Sequence, residues 1–295
     1  MNRRRFLLKS AFALTCLVPL RLASAQEVKL PDWKTLRAIY QYDAKKPLEV
    51  EEKALEDPNY LKVHLSLTTL SGERAPGVFM RPKAEGRYPI VILLHGLTSN
   101  KESMITRYGK ALLSEGCAIL ALDAPRHGER RNQGENVWQS DLFVQITRDG
   151  IRDYRRALDY LAKRDDVDMK RTGLVGYSMG AMMGTILTAV DNRVKNAILC
   201  VGGDVGINRV NTLPEAQRQA GYAVCTSLFA AHIAPRPVLM LNGKADTIVT
   251  PATTKLVYEA AGKGKEIFWF ESGHDLPKEA DVKAVEWMMD KIGKK

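Results

Sequence analysis

Continuous apolar runs, separated by stretches with helical spacing, constrain the fold of this chain more than any other feature. The runs lie at residues 88–94, 118–122, 173–176, 197–201, 238–241 and 267–270. A strand that is covered on both faces has such an uninterrupted apolar sequence. Between the runs, apolar residues share one helical face at Met104, Tyr108 and Ala111, at Ile151, Tyr154, Leu158 and Leu161, and at Val282, Val285 and Met289. Alternating strands and helices predict an α/β fold, in which helices flank both faces of a mostly parallel central sheet.

The chain before residue 88 has a different pattern. Residues 26–59 are polar and partly helical in pattern, and we predict that they form an N-terminal extension packed on the core. Apolar and polar residues alternate over 61–67, which predicts a half-buried strand, and residues 77–80 are expected to return as its hairpin partner. Because the chain of 295 residues is 45% hydrophobic and contains no repeat or linker, we predict a single main domain over residues 60–295.

The first 25 residues have the three parts of a secretory signal peptide. A basic head at 2–9 (NRRRFLLK) precedes an apolar run at 11–20, and Ala23–Ala25 supplies a small-residue cleavage site. The apolar run is about half of the ~20 residues that a membrane-spanning helix needs, so we predict no stable membrane anchor, with an N-terminal anchor as the alternative. The adjacent arginines resemble the twin-arginine export signal, which predicts a periplasmic or secreted bacterial protein.

The charge of the chain does not indicate nucleic-acid binding. Forty-four Lys and Arg against 34 Asp and Glu give a net charge of +10, but removal of residues 1–25 would leave 39 basic against 34 acidic residues. The remaining charges of both signs are interspersed, which is typical of a solvated surface. Cys117, Cys200 and Cys225 lie beyond the first 25 residues, and an odd number of cysteines cannot all pair. Buried free thiols are the simpler interpretation of these cysteines, and the sequence leaves their state open.

A G-x-S-x-G motif at 176–180 carries the strongest chemical signal. An apolar strand is predicted before it and a helix over 181–189 after it, which is the context in which this motif presents a nucleophilic serine. The serine of such a motif lies on a sharp turn, where side chains two positions before and after it would collide with the backbone. Gly176 and Gly180 avoid that collision, so Ser178 is the candidate nucleophile.

A serine nucleophile needs a base that takes its proton and an acid that orients the base. His274 follows the last apolar run in a short loop, and Asp246 follows the run at 238–241. Ligands bind beyond the carboxyl ends of strands in an open parallel sheet, which is where both loops are expected. A surface histidine and a turn-forming aspartate are the simpler alternatives. The chain order Ser178, Asp246, His274 favours the catalytic assignment, because it is the order of the α/β-hydrolase triad.

Four segments of the chain resemble the α/β-hydrolases, and within them the dienelactone-hydrolase-like and acyl-esterase branch. The segments are Leu93–Glu102, Leu174–Ala181, Ala234–Pro251 and Phe270–Pro277, and the resemblance extends from about residue 60 to residue 292. It implies Ser178 as nucleophile, Asp246 as acid and His274 as base. Dienelactone hydrolases use a cysteine nucleophile, so a serine at this position implies a carboxylic-ester hydrolase. The resemblance implies neither a cofactor nor a metal ion, and the sequence contains no HExxH or CxxC pattern.

The resemblance also implies an oxyanion hole and a substrate pocket. A tetrahedral intermediate carries a new negative oxygen, which N–H donors must stabilise. The expected donors are the backbone N–H groups of Met179, next to the nucleophile, and of Leu97, after a His–Gly pair. The candidate pocket residues are His95, Gly96, His127 and Tyr177. His127 lies in a D-x-x-x-H-G turn and is expected to shape the pocket wall rather than to catalyse.

Residues 202–235 form an insertion beyond the strand predicted at 197–201. The insertion contains Leu213, Tyr222 and Phe229 among its apolar residues. If it lies over the strand ends, it forms a short cap that contributes apolar side chains to the substrate pocket. Simple helix packing on the sheet is the alternative, and the sequence does not choose between the two.

These features predict an exported serine hydrolase that cleaves small-molecule carboxylic esters, with short acyl or aromatic groups, through an acyl-enzyme. A serine peptidase or amidase of the prolyl-oligopeptidase type is one alternative, which the absence of that family's large N-terminal propeller disfavours. A non-catalytic hydrolase-like binding protein is another, which the presence of every triad member disfavours. The natural substrate, the acyl length preference and the oligomeric state stay open at this level.

Overall fold

The computed structural model describes residues 29–132 and 140–293. Within these ranges the strands are β1 (Glu51–Leu55), β2 (Tyr60–Thr68), β3 (Arg74–Pro82), β4 (Tyr88–Leu94), β5 (Ala118–Leu122), β6 (Val167–Tyr177), β7 (Asn196–Cys200), β8 (Val238–Gly243) and β9 (Lys265–Phe270). They form one sheet in the order β1-β2-β3-β5-β4-β6-β7-β8-β9. All pairings from β5 to β9 are parallel, which confirms the predicted mostly parallel sheet. The predicted signal peptide at 1–25 lies outside the described residues.

The first three strands form the antiparallel end of the sheet. β2 and β3 pair as the expected hairpin, and β3 continues the antiparallel pairing onto β5. β1 lies within the polar segment 26–59, where the sequence pattern did not predict a strand. Its side chains are exposed or half-buried and include Glu51, Glu52 and Lys53, so it lacks the apolar alternation that identifies a strand. Charged side chains on an edge strand also oppose pairing with another chain.

Helices cover both faces of the sheet, as predicted. They are α1 (Trp33–Ala38), α2 (Lys101–Met104), α3 (Lys110–Ser114), α4 (Ser140–Leu161), α5 (Met179–Val190), α6 (Ile207–Asn211), α7 (Glu215–Ala223), α8 (Thr226–Ala230), α9 (Pro251–Ala260) and α10 (Lys278–Ile292). One core contains the buried side chains of α4, α5 and α8, and the other contains those of α2, α3 and α10. The central strands β4 and β5 lie between the two cores and are buried along almost their whole length.

A π-helical turn at Ile105–Gly109 joins α2 to α3 and changes which residues face the sheet. Met104 and Tyr108 are buried as predicted, but Ala111 is exposed and Leu112 is buried in its place. A π turn contains more residues than an α turn, because each N–H bonds to the carbonyl five residues before it. The positions after the turn are therefore rotated relative to the regular helix that the sequence predicts.

The predicted face of helix α10 is confirmed in part, because Met289 is buried and Val285 packs against the same core, but Val282 does not. Val282 is 54% exposed, whereas Ala280, Ala284 and Met288 are buried against the sheet. These three residues are spaced four apart and so form one row along the helix. The small side chains of Ala280 and Ala284 allow the helix to approach the strands closely. A prediction of the buried face from hydrophobic residues favours Val282 and Val285 over these alanines.

The extension and the insertion both contribute to the core. Leu36 and Tyr40 are buried, and the Tyr40 hydroxyl donates to the carbonyl of Ala223 in α7. In the insertion, Tyr222 and Phe229 belong to the same core as α4 and α5, and α8 contacts α5 and α9. Helix α8 therefore follows the helix-packing alternative for this segment.

The three described cysteines are free and buried. Burial raises the pKa of Cys117 and Cys200 to about 12 and raises that of Cys225 as well. A nucleophilic cysteine needs its thiolate form, so these protonated thiols do not compete with a serine nucleophile. Among the described helices, none has both the length and the apolar composition required to cross a membrane.

Candidate active site

The topology predicts a crevice where the chain leaves β4 and β6. These strands are adjacent and parallel, and β4 leads to α2 on one face of the sheet while β6 leads to α5 on the other. Connections to opposite faces open a crevice at the carboxyl ends of the strands, which is the usual ligand site of open α/β sheets. Ser178 directly follows β6, and Leu97 lies three residues beyond the end of β4.

Ser178 occupies a sharp turn between β6 and α5. Its backbone has φ +55° and ψ −117°, a left-handed conformation that is strained for a residue with a side chain. A methyl group on Gly176 would lie 2.3 Å from the carbonyl oxygen of Gly180, and one on Gly180 would lie 2.1 Å from the carbonyl oxygen of Leu94. Neither contact is possible for a real side chain, so both glycines of the motif are required by the turn that exposes the serine.

The structure brings the three predicted triad residues together. His274 Nε2 lies 2.9 Å from Ser178 Oγ, and His274 Nδ1 lies 2.8 Å from Asp246 Oδ2. An ionised carboxylate can only accept hydrogen bonds, so the Nδ1–H group donates to Asp246. The lone pair of Nε2 then accepts the hydrogen bond from the serine hydroxyl. This is the protonation pattern that a histidine needs if it is to remove the serine proton.

The Asp246 carboxylate is buried and is held by backbone hydrogen bonds. The Asp246 side chain is only 2% exposed, whereas the His274 side chain is 22% exposed. Asp246 Oδ1 accepts hydrogen bonds of 2.9 Å from the backbone N–H groups of Ile248 and Val249. These bonds fix the orientation of the carboxylate and leave Oδ2 for the histidine.

One predicted oxyanion donor follows the serine in the chain, and the other lies in the turn after β4. A methyl group on Gly96 would lie 3.4 Å from Ser178 Cβ, so the turn that carries Leu97 lies beside Ser178. Met179 is the first residue of α5, and the first N–H groups of a helix have no partner within the helix. They also lie at the positive end of the helix dipole, which favours a negative charge.

His95 and His127 are structural residues of the crevice. His95 Nε2 accepts from the N–H of Ala124 at 3.0 Å, so its hydrogen is on Nδ1, which donates to the Gly96 carbonyl at 2.8 Å. Burial lowers the pKa of His95 to about 4 and also lowers that of His127. The rings of the two histidines are 5.2 Å apart, and His127 Nδ1 bonds to the carbonyl of Pro125 at 2.8 Å.

The D-x-x-x-H-G turn after β5 is built around a buried carboxylate. Asp123 is fully buried and accepts hydrogen bonds from the backbone N–H and the ammonium group of Lys101, and from the N–H of Glu129. A methyl group on Gly128 would lie 2.2 Å from this carboxylate. The aspartate and the glycine of this motif therefore hold the loop in place beside the crevice.

Tyr177 contacts the loop that carries His274. Its hydroxyl donates to the carbonyl of His274 at 2.8 Å and accepts from the N–H of Leu276 at 3.0 Å. Burial raises the pKa of Tyr177 to about 12, so the hydroxyl keeps its proton at neutral pH. Tyr177, predicted as a pocket residue, thus supports the histidine loop through its hydroxyl. Arg107 lies over the Tyr177 ring, and no local sequence motif identifies it as a residue of the site.

A cavity of about 630 Å³ lies over β1 to β3 and is lined mainly by polar and charged residues such as Glu51, His64, Arg74 and Glu129. It includes none of the triad residues, so the hydrogen-bonded triad, and not cavity volume, identifies the candidate site. Over residues 29–132 and 140–293, no group of three or more His, Cys, Asp or Glu side chains is arranged to hold a metal ion.

Residues 89–226 match the model of the alpha/beta hydrolase fold. A candidate hydrolase of Bacillus subtilis (strain 168), YtaP, is 32% identical over 238 residues, which cover 70% of this chain and 77% of YtaP. The chain belongs to the α/β-hydrolase family. A second relative of this α/β-hydrolase is YitV of the same organism, a candidate esterase that is 26% identical over 70% of this chain and 91% of its own length.

Solved structures of esterases share the fold of this α/β-hydrolase. Acetyl xylan esterase 1 from Thermoanaerobacterium sp. JW/SL YS485 superposes with a TM-score of 0.75 at 18% identity, covering 88% of this chain and 93% of the esterase. A cold-adapted esterase from an Arctic intertidal metagenomic library superposes with a TM-score of 0.68 at 25% identity, covering 82% and 98%. The predicted α/β-hydrolase fold is therefore confirmed.

Proposed function

We propose that this α/β-hydrolase is an exported serine hydrolase that cleaves carboxylic esters through an acyl-enzyme. The observation that carries the proposal is the continuous hydrogen-bonded path from Ser178 through His274 to Asp246, with donor–acceptor distances of 2.9 and 2.8 Å. Distances of this kind are those expected between a nucleophile, its base and the group that orients the base.

The geometry supports a two-step acyl transfer. In the first step, His274 Nε2 takes the Ser178 proton while the serine oxygen forms a bond to the ester carbonyl carbon. The protonated histidine then gives this proton to the departing alcohol, and the ester C–O bond breaks to leave the acyl-enzyme. In the second step, water attacks the acyl group with the same histidine as base, and the carboxylic acid leaves.

The oxyanion of each tetrahedral intermediate would bind to the N–H groups of Met179 and Leu97. The proximity of Gly96 to Ser178 and the position of Met179 at the start of α5 support this assignment. Loss of one such donor typically costs about 3–4 kcal/mol of transition-state stabilisation.

The proposed substrates are small esters with short acyl or aromatic groups. Two structural neighbours are acetyl xylan esterases, and the relative YitV is a candidate esterase. These names support ester cleavage in general and acetyl esters as the first class of substrate to test.

The nucleophile is tested with Ser178→Ala. The triad acts as a unit, so we expect a loss of about 10⁵–10⁶-fold in kcat for ester hydrolysis, together with loss of labelling by a fluorophosphonate probe. Ser227→Ala is the matched control, because Ser227 bonds to Asp204 rather than to the triad and should leave labelling intact. Persistent labelling of the Ser178→Ala protein would assign the nucleophile to another residue.

The reaction class is tested with p-nitrophenyl acetate, p-nitrophenyl octanoate and a proline anilide. We expect rapid hydrolysis of the acetate, slower hydrolysis of the octanoate and no cleavage of the anilide. Cleavage of the anilide alone would identify a peptidase or amidase. Inertness towards all three substrates and towards the fluorophosphonate would instead indicate a binding protein.

Export is tested by expressing the full chain in a bacterium and separating the periplasm from the cytoplasm. The basic head, apolar run and Ala23–Ala25 site predict a periplasmic product that begins at Gln26. Replacing both Arg3 and Arg4 by lysine should retain the protein in the cytoplasm if the twin-arginine route is used. Full-length protein confined to the cytoplasm of the unmodified strain would contradict the proposal.

A further inference from the structure

The catalytic histidine of the proposed reaction lies in a short loop, residues 271–277, between β9 and α10. We call this segment the histidine loop. The position of a base in a loop depends on the contacts that hold the loop. A shift of about 1 Å in that position can lower the rate about 10²-fold. The contacts of the histidine loop therefore decide how well His274 is aligned.

The first half of the histidine loop is bound to the loop that carries Asp246. The N–H of Ala245 donates to the carbonyl of Ser272 at 3.0 Å. A methyl group on Gly243 would lie 2.1 Å from the carbonyl oxygen of Gly273, so the two backbones are in direct contact. The acid and the start of the histidine loop are thus fixed to each other.

The second half of the histidine loop is bound to two side chains from elsewhere in the fold. Tyr177, the neighbour of the nucleophile, bonds to the backbone of His274 and of Leu276 through its hydroxyl. Arg107 donates to the carbonyl of Leu276 at 2.7 Å and to Asp275 at 3.0 Å. These contacts surround the backbone of the catalytic histidine on its carboxyl side.

Arg107 itself is held by three further features. Its Nε donates to Asp281 of α10 at 2.8 Å, and its guanidinium lies 4.5 Å from the centre of the Tyr177 ring. It belongs to the π-helical turn Ile105–Gly109, and such turns are frequent at functional sites. The planar guanidinium fork can bond to several acceptors at once, which a lysine ammonium does not do in the same geometry.

We propose that Arg107 and Tyr177 are positioning residues of the active site, which hold the histidine loop so that His274 is aligned with Ser178. We call this pair the clamp. The inference rests on the proposed function, because it assumes that His274 is the base. Among the hydrogen bonds of the described residues, neither side chain bonds to the Ser178 hydroxyl or to the Asp246 carboxylate, so both act through the position of the histidine.

The clamp is tested by comparing the rates at which each variant hydrolyses two esters of acetic acid, p-nitrophenyl acetate and ethyl acetate. p-Nitrophenolate leaves without protonation, whereas an alkyl alkoxide must receive a proton from the histidine as the C–O bond breaks. A misplaced histidine therefore slows hydrolysis of ethyl acetate more than that of p-nitrophenyl acetate. For Arg107→Met we expect kcat/KM for ethyl acetate to fall about 10–100-fold. We expect the fall in kcat/KM for p-nitrophenyl acetate to be several times smaller. Tyr177→Phe should also lower kcat/KM more for ethyl acetate than for p-nitrophenyl acetate. Arg107→Lys should lose less kcat/KM than Arg107→Met.

Arg164→Met is the matched control. The Arg164 side chain is 19% exposed, against 23% for Arg107. Like Arg107, it bonds to an aspartate, Asp166, and lies over an aromatic ring, that of Phe79, and it also bonds to the Tyr160 hydroxyl. It differs in position, because it precedes β6 whereas Ser178 follows that strand. This variant should lose comparable stability in a urea titration and keep the wild-type ratio of the two rates.

The outcomes are distinguishable. An unchanged rate ratio in both Arg107→Met and Tyr177→Phe, with an active wild-type enzyme, would overturn the clamp and leave the proposed function intact. A wild-type protein that hydrolyses neither ester would overturn the proposed function and the clamp together.

Discussion

Protonation of His95 is expected to make the stability of this protein depend on pH in a defined window. His95 is 2% exposed, and burial lowers its pKa from 6.5 to about 4. In the folded protein its Nε2 must stay unprotonated to accept from the N–H of Ala124. Between about pH 4 and 6.5 the unfolded chain therefore binds more protons than the folded chain at this position, and the free energy of unfolding falls as the pH is lowered.

The size of the effect follows from the shift in pKa. A shift of one pKa unit corresponds to about 1.4 kcal/mol. The shift of the His95 pKa from 6.5 to about 4 therefore lowers the free energy of unfolding by at most about 3 kcal/mol, reached at low pH. Well above pH 6.5 this contribution to stability is fully retained. At about pH 4.5 the expected loss from His95 alone is about 2.5 kcal/mol. This is a large part of the stability of a typical domain.

The assay is urea unfolding of wild type and His95→Gln at about pH 7.5 and 4.5. Glutamine can accept from Ala124 and does not titrate, although the Gly96 carbonyl loses its donor, which costs about 1–3 kcal/mol at both pH values. The loss of stability between the two pH values should be about 2.5 kcal/mol smaller in the variant than in wild type. Equal pH dependence in the two proteins would refute the assignment of the titrating group to His95.

Two further perturbations test the nucleophile turn and the acid. Gly180→Ala should lower the free energy of unfolding by about 3 kcal/mol or more, because its methyl group would lie 2.1 Å from the Leu94 carbonyl oxygen and backbone atoms cannot move aside. Thermal melting would check this against Gly273→Ala, whose methyl group meets no atom nearer than 3.7 Å, and equal melting temperatures would contradict it. Asp246→Asn should reduce kcat by about 10³–10⁴-fold, because the amide stabilises the wrong tautomer of the histidine. Steady-state kinetics on p-nitrophenyl acetate would check this, and a loss of less than tenfold would argue against Asp246 as the orienting acid.

The sequence by itself determined the fold class and the chemistry of the candidate site. A buried parallel strand must be continuously apolar, and a nucleophile turn must have glycine on both sides, so these features are visible in a few consecutive residues. The distances at Gly176 and Gly180 show that a side chain at either position would collide with the backbone, which is the reason why the motif requires glycine there. Ser178, Asp246 and His274 could be selected because each follows an apolar run in the chain order of a known family.

Only the tertiary structure decided which surfaces meet. The strand order places β4 between β5 and β6, and the apolar pattern of each run contains no information about its neighbours. The burial of Leu112 in place of Ala111 depends on a π turn, which a regular helical period cannot predict. Arg107 contacts the histidine loop across a separation of about 170 residues. Such contacts depend on how distant elements pack, whereas periodicity and turn chemistry are local. The proposed positioning residues of His274 could therefore not be identified before the fold was known.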